Sequence, residues 1–400
     1  MRILILNKNK FGRMEYARAI DHQRHDVTYA GTTEYDDDIP KDLRCERFVL
    51  ERGAPVVEQL QPWLRAQRPF DRLLARHELL IMPAAELRAE FGIPGMLPDL
   101  AARFRDKVTM KATLERAGIR VPRFVRATEL PEHVPWQGKT IVKPRDSNAS
   151  QGVYLCDDYD SARRLVGQRR RDDHAFADRY EVEEYLDGPI WHVDGFLFRG
   201  EPVAVQASRY VRTPLEFEHG NPLGSVQFPY PELEAWTLDC LHALGADTLT
   251  FHLEAIITAD GPAFLEVAAR CGGGYVVDMF RRRTGAHLHS LDMATEVGGE
   301  LATHLLESPA PNSFNGMFLF PGHTYGGAPV TVDVPAGTLT APVLVKYRIF
   351  PEGKPTPTNA NYRPENLAFS GLVSGPDPAE LDAWLEDLLS SATVSAPGDA

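Results

Sequence analysis

Cysteine is scarce in this chain, and the four that occur, Cys45, Cys156, Cys240 and Cys271, show no CxxC spacing. That excludes a disulfide framework and a cysteine metal cluster, and it fits free thiols in a reduced, cytoplasmic setting. Long apolar runs are absent as well. The stretch MRILILNKNK is too short for a signal peptide and lacks a cleavage site, and no uninterrupted apolar segment is long enough to span a bilayer. No membrane partner is expected. Nor is there an excess of positive charge. Lys and Arg total 43 against 56 Asp and Glu, a formal net charge of −13. This argues against nucleic acid as a partner but leaves room for an anionic nucleotide in a local basic pocket. No GxGxxG follows the first apolar strand, so a dinucleotide site of the Rossmann kind lacks its fingerprint. No internal repeat, low-complexity block or Ser-His-Asp arrangement can be read.

What remains is an ordinary globular composition, 43% hydrophobic and 25% charged. The length predicts about two to four subdomains. Residues 1–105 read as a small α/β unit. Ile3–Leu6, Asp26–Ala30 and Asp71–Ala75 are its strands, and Arg13–His22 and Glu58–Ala66 its helices. This alternation implies a parallel sheet. Ligands gather at the carboxyl ends of strands in such sheets, which makes Arg76, His77 and Glu78 candidate substrate contacts; a polar helix start accounts for them equally well. A second unit, 106–186, opens on the helix DKVTMKATLERAG, which Asp106 can cap and Gly118 stop. Strand Lys139–Lys143 ends at Pro144, and the polar loop RDSNASQG (145–152) leads to strand Val153–Leu155. Tyr180–Leu186 reads as a strand entering the turn Asp187-Gly188-Pro189. The third unit, 187–400, has strands at Trp191–Phe198 and Pro202–Ala207, a loop expected over 217–231, and a helix containing Leu233–Ala243. Beyond about 312 the chain is strand-rich and closes with the helix Pro378–Leu389 and a frayed tail, SSATVSAPGDA.

The most informative stretch runs from Phe251 to Gly274. Two alternating apolar runs, TFHLEAII and AFLEVAA, flank Ala259-Asp260-Gly261-Pro262. Asp-Gly between such runs predicts a hairpin. On adjacent antiparallel strands Glu254 and Glu266 would share a face. Two facing carboxylates repel unless a cation sits between them, and Mg²⁺ suits a site that also receives phosphates. Arg270 follows, then Gly272-Gly273-Gly274, where backbone can approach a ligand closely.

Three upstream elements complete a constellation. Lys107 stands at the start of a helix. Lys143 ends a strand before the small-residue loop Ser147–Gly152. Glu181, Glu183 and Glu184, with Leu186, form an acidic strand end. Lysines balance phosphate charge, a small-residue loop can close over phosphates with its N–H groups, and an acidic strand end can accept hydrogen bonds from adenine and ribose. Arg209 and Arg212 in SRYVRTP could reach a phosphate or a substrate carboxylate, for which the planar guanidinium fork is suited.

In this order and spacing the chain resembles the ATP-grasp superfamily and, more narrowly, its carboxylate–amine ligases of the L-amino-acid type. The resemblance is good over about residues 70–300 and loose at both ends. It implies an α/β fold, α+β in the ATP-binding part: an N-terminal parallel α/β domain (1–105), a small central lid subdomain (106–186), and a larger C-terminal antiparallel-sheet subdomain with metal and substrate sites (187–400). It implies Lys107 and Lys143 as phosphate-binding lysines, Lys143 also as a catalytic group, and Ser147, Ser150 and Gly152 in a mobile lid loop. Glu183, Glu184 and Leu186 match an adenine-contacting hinge, and Glu254 and Glu266 the metal ligands. Arg270 matches the arginine that stabilises an acyl phosphate or positions the acceptor. Glu78, Arg209, Arg212, Arg270 and Gly273 remain candidates for substrate contact. Two positions depart from the pattern. Ala268 stands where many relatives have a metal-binding asparagine. Ile190 and Trp191 stand where many have a ribose-contacting acid, leaving His192 as the nearest polar substitute.

The activity implied is ATP-dependent amide or peptide bond formation through an acyl phosphate, releasing ADP and phosphate. ATP and Mg²⁺ are the cofactors, with Mn²⁺ an alternative, and a small carboxylic acid and an amine are the substrates. A homodimer is a family-level expectation. The alternatives are a ligase with a thiol, ammonia or carrier-bound acceptor, or a nucleotide-binding protein without catalysis.

Overall fold

The structure, a computed structural model, describes residues 1–310 and 313–396. The apolar run at the N-terminus forms β1 (Arg2–Asn7), flanked in parallel by β2 (Asp26–Gly31) and β4 (Arg72–Ala75), with β3 (Glu46–Val49) outside β2. Ile3, Leu4, Ile5 and Leu6 are all buried, because helices cover both faces of the sheet. The helix expected over Arg13–His22 is two short ones, Phe11–Met14 and Tyr16–Ala19. Glu15 breaks it in a left-handed conformation, φ 51°, while its carboxylate accepts from Arg18 at 2.9 Å and Arg281 at 2.6 Å. The Arg281 partner, 266 residues along the chain, is invisible to local pattern.

A second, antiparallel sheet holds β5 (Phe124–Arg126), β6 (Thr140–Pro144), β7 (Tyr154–Cys156) and β8 (Tyr180–Glu184), in the order β5-β8-β6-β7. The helix before it, Lys107–Arg116, is capped by the Asp106 carboxylate, which accepts from Thr109 N at 2.7 Å. Its Met110 and Leu114 pack in the core beneath the third sheet, so it belongs physically to the larger layer although it precedes β5.

That third sheet has eight strands: β9 (Ile190–Phe198), β10 (Glu201–Val211), β11 (Leu223–Gln227), β12 (Leu249–Thr258), β13 (Gly261–Ala268), β14 (Phe314–Phe320), β16 (Leu344–Ile349) and β17 (Phe369–Gly375). Their order is β13-β12-β9-β10-β11-β14-β17-β16. The stretch 217–231, expected as a loop, begins in the last turn of a short helix, Pro214–Glu218, with a full capping box between Thr213 and Glu216, and contains β11. Its glycine content misleads because Gly224 sits inside the strand, where a Cβ would lie 3.1 Å from both Leu389 and Val211. The tail is likewise partly ordered: β15 (Thr331–Asp333) pairs with β18 (Thr393–Ser395). The last four residues of that tail, 397–400, lie outside the described residues. Among the described residues no helix is long and apolar enough to cross a membrane.

Candidate functional site

The Asp-Gly hairpin forms as its pattern predicts. β12 and β13 pair antiparallel, with Glu254 directly opposite Glu266 and His252 opposite Ala268. A register shift after Glu254 bends the strand there. A lysine and a phenol hold the carboxylates. Lys107 Nζ lies 2.9 Å from Glu266 and donates to Ser147 O at 3.1 Å, while Tyr210 OH donates to Glu254 Oε1 at 2.8 Å. Burial would raise the Glu266 carboxyl, but the Lys107 ammonium overrides it and takes the pKa down to about 2.

Lys143 ends β6 facing β8, whose alternation puts Glu181 and Glu183 on one face. Lys143 Nζ is 2.6 Å from Glu183 and 3.9 Å from Glu181. A further cation, Lys111, is 2.8 Å from Glu181 and also bonded to Glu183. Lys111 and Glu181 have no exposed surface at all. Sequence reasoning passed over Lys111, whose signal is its position four residues after Lys107 on one helix face. Glu183 is therefore a counter-ion to two lysines, and its side chain is not available to adenine as expected. Glu184 is also engaged: its carboxylate accepts from Arg123 N at 2.9 Å and its own N–H donates to Arg123 O at 2.9 Å. Leu186, beyond the strand, lines the cavity.

That cavity, about 440 Å³, lies between the second sheet, the loop 145–152 and the hairpin. Lys107, Lys143, Glu254 and Glu266 line one end, and Ile141, Leu186, Ile190 and Ile256 give it apolar walls. Ser147 and Ser150 face it from the loop. Ala149 and Ser150 both have φ 55°, a left-handed turn that non-glycine residues rarely adopt. Gly152 lines no part of it. It is packed where a Cβ would meet the Tyr180 hydroxyl at 2.8 Å. Gln151 Nε2 donates to Ala360 O at 3.0 Å, fastening the loop to the C-terminal part of the chain.

Arg270 lies with Lys107 and Glu266 in a small adjoining recess. Its guanidinium is held by Glu78, which also binds Arg105. Burial would raise the Glu78 carboxyl, and the two guanidiniums more than offset it. So Glu78 reaches the site as an orienter of Arg270. Its neighbours are engaged within the protein: Arg76 is tied to Asp292 at 2.8 Å and to Glu296, and His77 accepts from Leu79 N at 3.2 Å as a helix cap.

Four expected contacts are committed to other partners. His192 is fully buried, with Nδ1 2.6 Å from Asp194 and Nε2 2.7 Å from Ser225 Oγ, so neither nitrogen can meet a ribose. Arg209 is bound to Asp382, and Arg212 donates to Ser390 Oγ at 3.1 Å; both point to the C-terminal helix Pro378–Ser391. Gly273 is covered by Tyr362, whose Cβ would lie 2.8 Å from a Cβ added there. A pair that sequence reasoning did not single out stands at the site instead. His252 Nδ1 is 2.8 Å from Asp194 Oδ1, and its Nε2 is 3.4 Å from Glu254 Oε1. Burial would lower His252, but the Asp194 and Glu254 carboxylates carry its pKa up to about 10. The signal was its place two residues before Glu254, on the same face of the strand.

The donor set fits a divalent cation with phosphates. Two hard carboxylates meet across a strand pair, each now neutralised by a cationic side chain, and lysines line the adjoining cavity.

Dapdiamide A synthase of Enterobacter agglomerans is 24% identical to the chain over 198 residues, 45% of this chain and 46% of its own length. L-arginine-specific L-amino acid ligase of Bacillus subtilis is 26% identical over 231 residues, 54% of this chain and 55% of its own length. The chain thus spans about half the length of the curated relatives it matches. The crystal structure of L-amino acid ligase from Bacillus licheniformis superposes with a TM-score of 0.74 at 18% identity, covering 99% of both chains. Phosphoribosylglycinamide synthetase from Anaerococcus prevotii gives 0.67 at 13%, also over 99% of both. No protein-family model matches the chain. The chain has the ATP-grasp fold of these structures, and the expected α/β class with parallel and large antiparallel sheets is borne out.

Proposed function

We propose that the chain is an ATP-dependent carboxylate–amine ligase that forms an amide or peptide bond through an acyl phosphate and releases ADP and phosphate. The observation that carries this reading is the cross-strand pair Glu254–Glu266 at the lysine-lined end of a cavity, with Arg270 beside it. The similarity to an L-arginine-specific L-amino acid ligase supports amino acids as the substrate class.

Glu254 and Glu266 would hold Mg²⁺, with Mn²⁺ as an alternative; the ion would draw charge from the transferred phosphoryl group. Lys107 and Lys143 approach that charge from the cavity wall, and their fixed partners spare them reorganisation during the reaction. The apolar walls at Ile141, Leu186, Ile190 and Ile256 accept a flat base. Loop 145–152 excludes water, which would otherwise hydrolyse an acyl phosphate. Arg270, held by Glu78, presents its guanidinium to the carboxylate or its acyl phosphate. All four cysteines are free, which favours a reducing compartment such as the cytoplasm.

The test is ADP and phosphate release with Mg-ATP across panels of amino acids and small carboxylic acids, with mass spectrometry of the products. ADP release requiring one acid and one amine, with their condensed mass, supports the ligase and names both substrates. ATP binding with no stimulation by any pair overturns it in favour of another acceptor or a non-catalytic role.

A further inference from the structure

On the face shared by β12 and β13, four positions form a square: Glu254 opposite Glu266, and His252 opposite Ala268. Three carry donors and the fourth only a methyl. His252 is partly buried and lines the recess shared by Lys107, Glu266 and Arg270. Its Nδ1 is committed to Asp194 at 2.8 Å, and its Nε2 points at Glu254 Oε1, 3.4 Å away. Two neighbouring ligands on one octahedral ion, each about 2.1 Å from it, stand about 3 Å apart. The Nε2–Oε1 spacing is close to that edge. Ala268 places no side-chain donor opposite His252 to compete for the same coordination position.

The ring is also held as metal-ligating imidazoles are held. Asp194 grips Nδ1 with one oxygen and His192 with the other at 2.6 Å, and His192 is anchored on Ser225 at 2.7 Å. A carboxylate behind a histidine fixes its orientation and strengthens it as a ligand. Gly272 makes room for this seat: a Cβ there would fall 2.8 Å from His252 Nδ1.

We propose that His252 Nε2, its proton displaced to solvent as the ion binds, is a third protein ligand of the cation held by Glu254 and Glu266, with Asp194 as its positioning residue. The site is then a mixed nitrogen–oxygen one. An imidazole donor favours a first-row transition ion over Mg²⁺, so Mn²⁺ binds more tightly than Mg²⁺, and His252 is the source of that preference. The inference rests on the reading of Glu254 and Glu266 as metal ligands.

The experiment is pulsed electron paramagnetic resonance of Mn²⁺ bound to the full chain with ADP, comparing natural-abundance protein with protein labelled with ¹⁵N at histidine only. The expected result is a nitrogen coupling that changes from the ¹⁴N to the ¹⁵N pattern and disappears in His252→Ala. Titration should show Asp194→Asn weakening Mn²⁺ binding about 10–100-fold. The labelling comparison needs no variant, so it stands even if one fails to fold. Bound Mn²⁺ without histidine coupling overturns this inference and leaves the ligase reading intact. Absence of any bound Mn²⁺ in the presence of ADP overturns both.

Discussion

At the scale of single residues, charge pairing decides which acids and bases remain free for chemistry. Glu266 is half of the hairpin pair and the partner of Lys107. Replacing it with alanine should lower turnover by about 10²–10³-fold, the cost of losing one preorganised electrostatic contact, while the circular dichroism spectrum stays that of the parent. Turnover unchanged in Glu266→Ala would remove it from the site. Lys111 has a different part. It is fully buried between Glu181 and Glu183 and also lies over the Phe124 ring at 4.5 Å. Lys111→Met leaves two buried carboxylates with Lys143 alone, and should cost about 3–5 kcal/mol in urea unfolding, the range seen when one partner of a buried pair is removed. Pairing also explains the misplaced residues. Arg209 and Arg212 read as free guanidiniums because their partners, Asp382 and Ser390, lie in a helix some 170 residues further along.

At the scale of elements, legibility followed the range of the interactions. The β12–β13 hairpin could be read because turn and alternation are local, and so could the Lys107–Arg116 helix with its Asp106 cap. The break at Glu15 and the strand β11 could not, since each depends on packing from a distant segment. Loop 145–152 was recognised as a loop, but its fastening to Ala360 through Gln151 was not. That bond joins the loop to the C-terminal part of the chain, so Gln151→Ala should speed proteolytic cleavage within 145–152. Adding Mg-ADP should slow cleavage again in both proteins. Equal cleavage rates without nucleotide would show that the bond does not restrain the loop.

At the scale of the whole molecule, the sheets converge on one charged seam, and its carboxyls set the response to acid. Glu78, Glu183 and Glu266 all titrate below the ordinary 4.5, Glu266 at about 2. Burial opposes each shift, and the neighbouring cations prevail. The stability they contribute is fully present above about pH 4.5 and is lost as pH falls toward 2. His252 acts in the opposite direction: its contribution is complete below its unfolded value of 6.5 and is lost as pH rises through about 10. Thermal melting in metal-free buffer should therefore give a plateau between about pH 4.5 and 6.5 with a fall on each side, and Glu266→Gln should flatten the acid side. An acid limb as steep in that variant as in the parent would contradict the assignment. Tertiary charge networks of this kind are what the sequence leaves hidden: it placed Glu254, Glu266, Lys107 and Lys143 in order, but not the register that brings Asp194 and His252 behind them.

The cluster of Lys111, Glu181, Glu183 and Lys143 carries a last consequence. Dissolved ions weaken charges they can surround, over about 8 Å at physiological ionic strength. They cannot surround Lys111 or Glu181, which have no exposed surface. Exposed pairs such as Arg44–Asp26 fade in brine, whereas the electric field that this cluster sets at one end of the cavity should be nearly the same in concentrated salt as in dilute buffer.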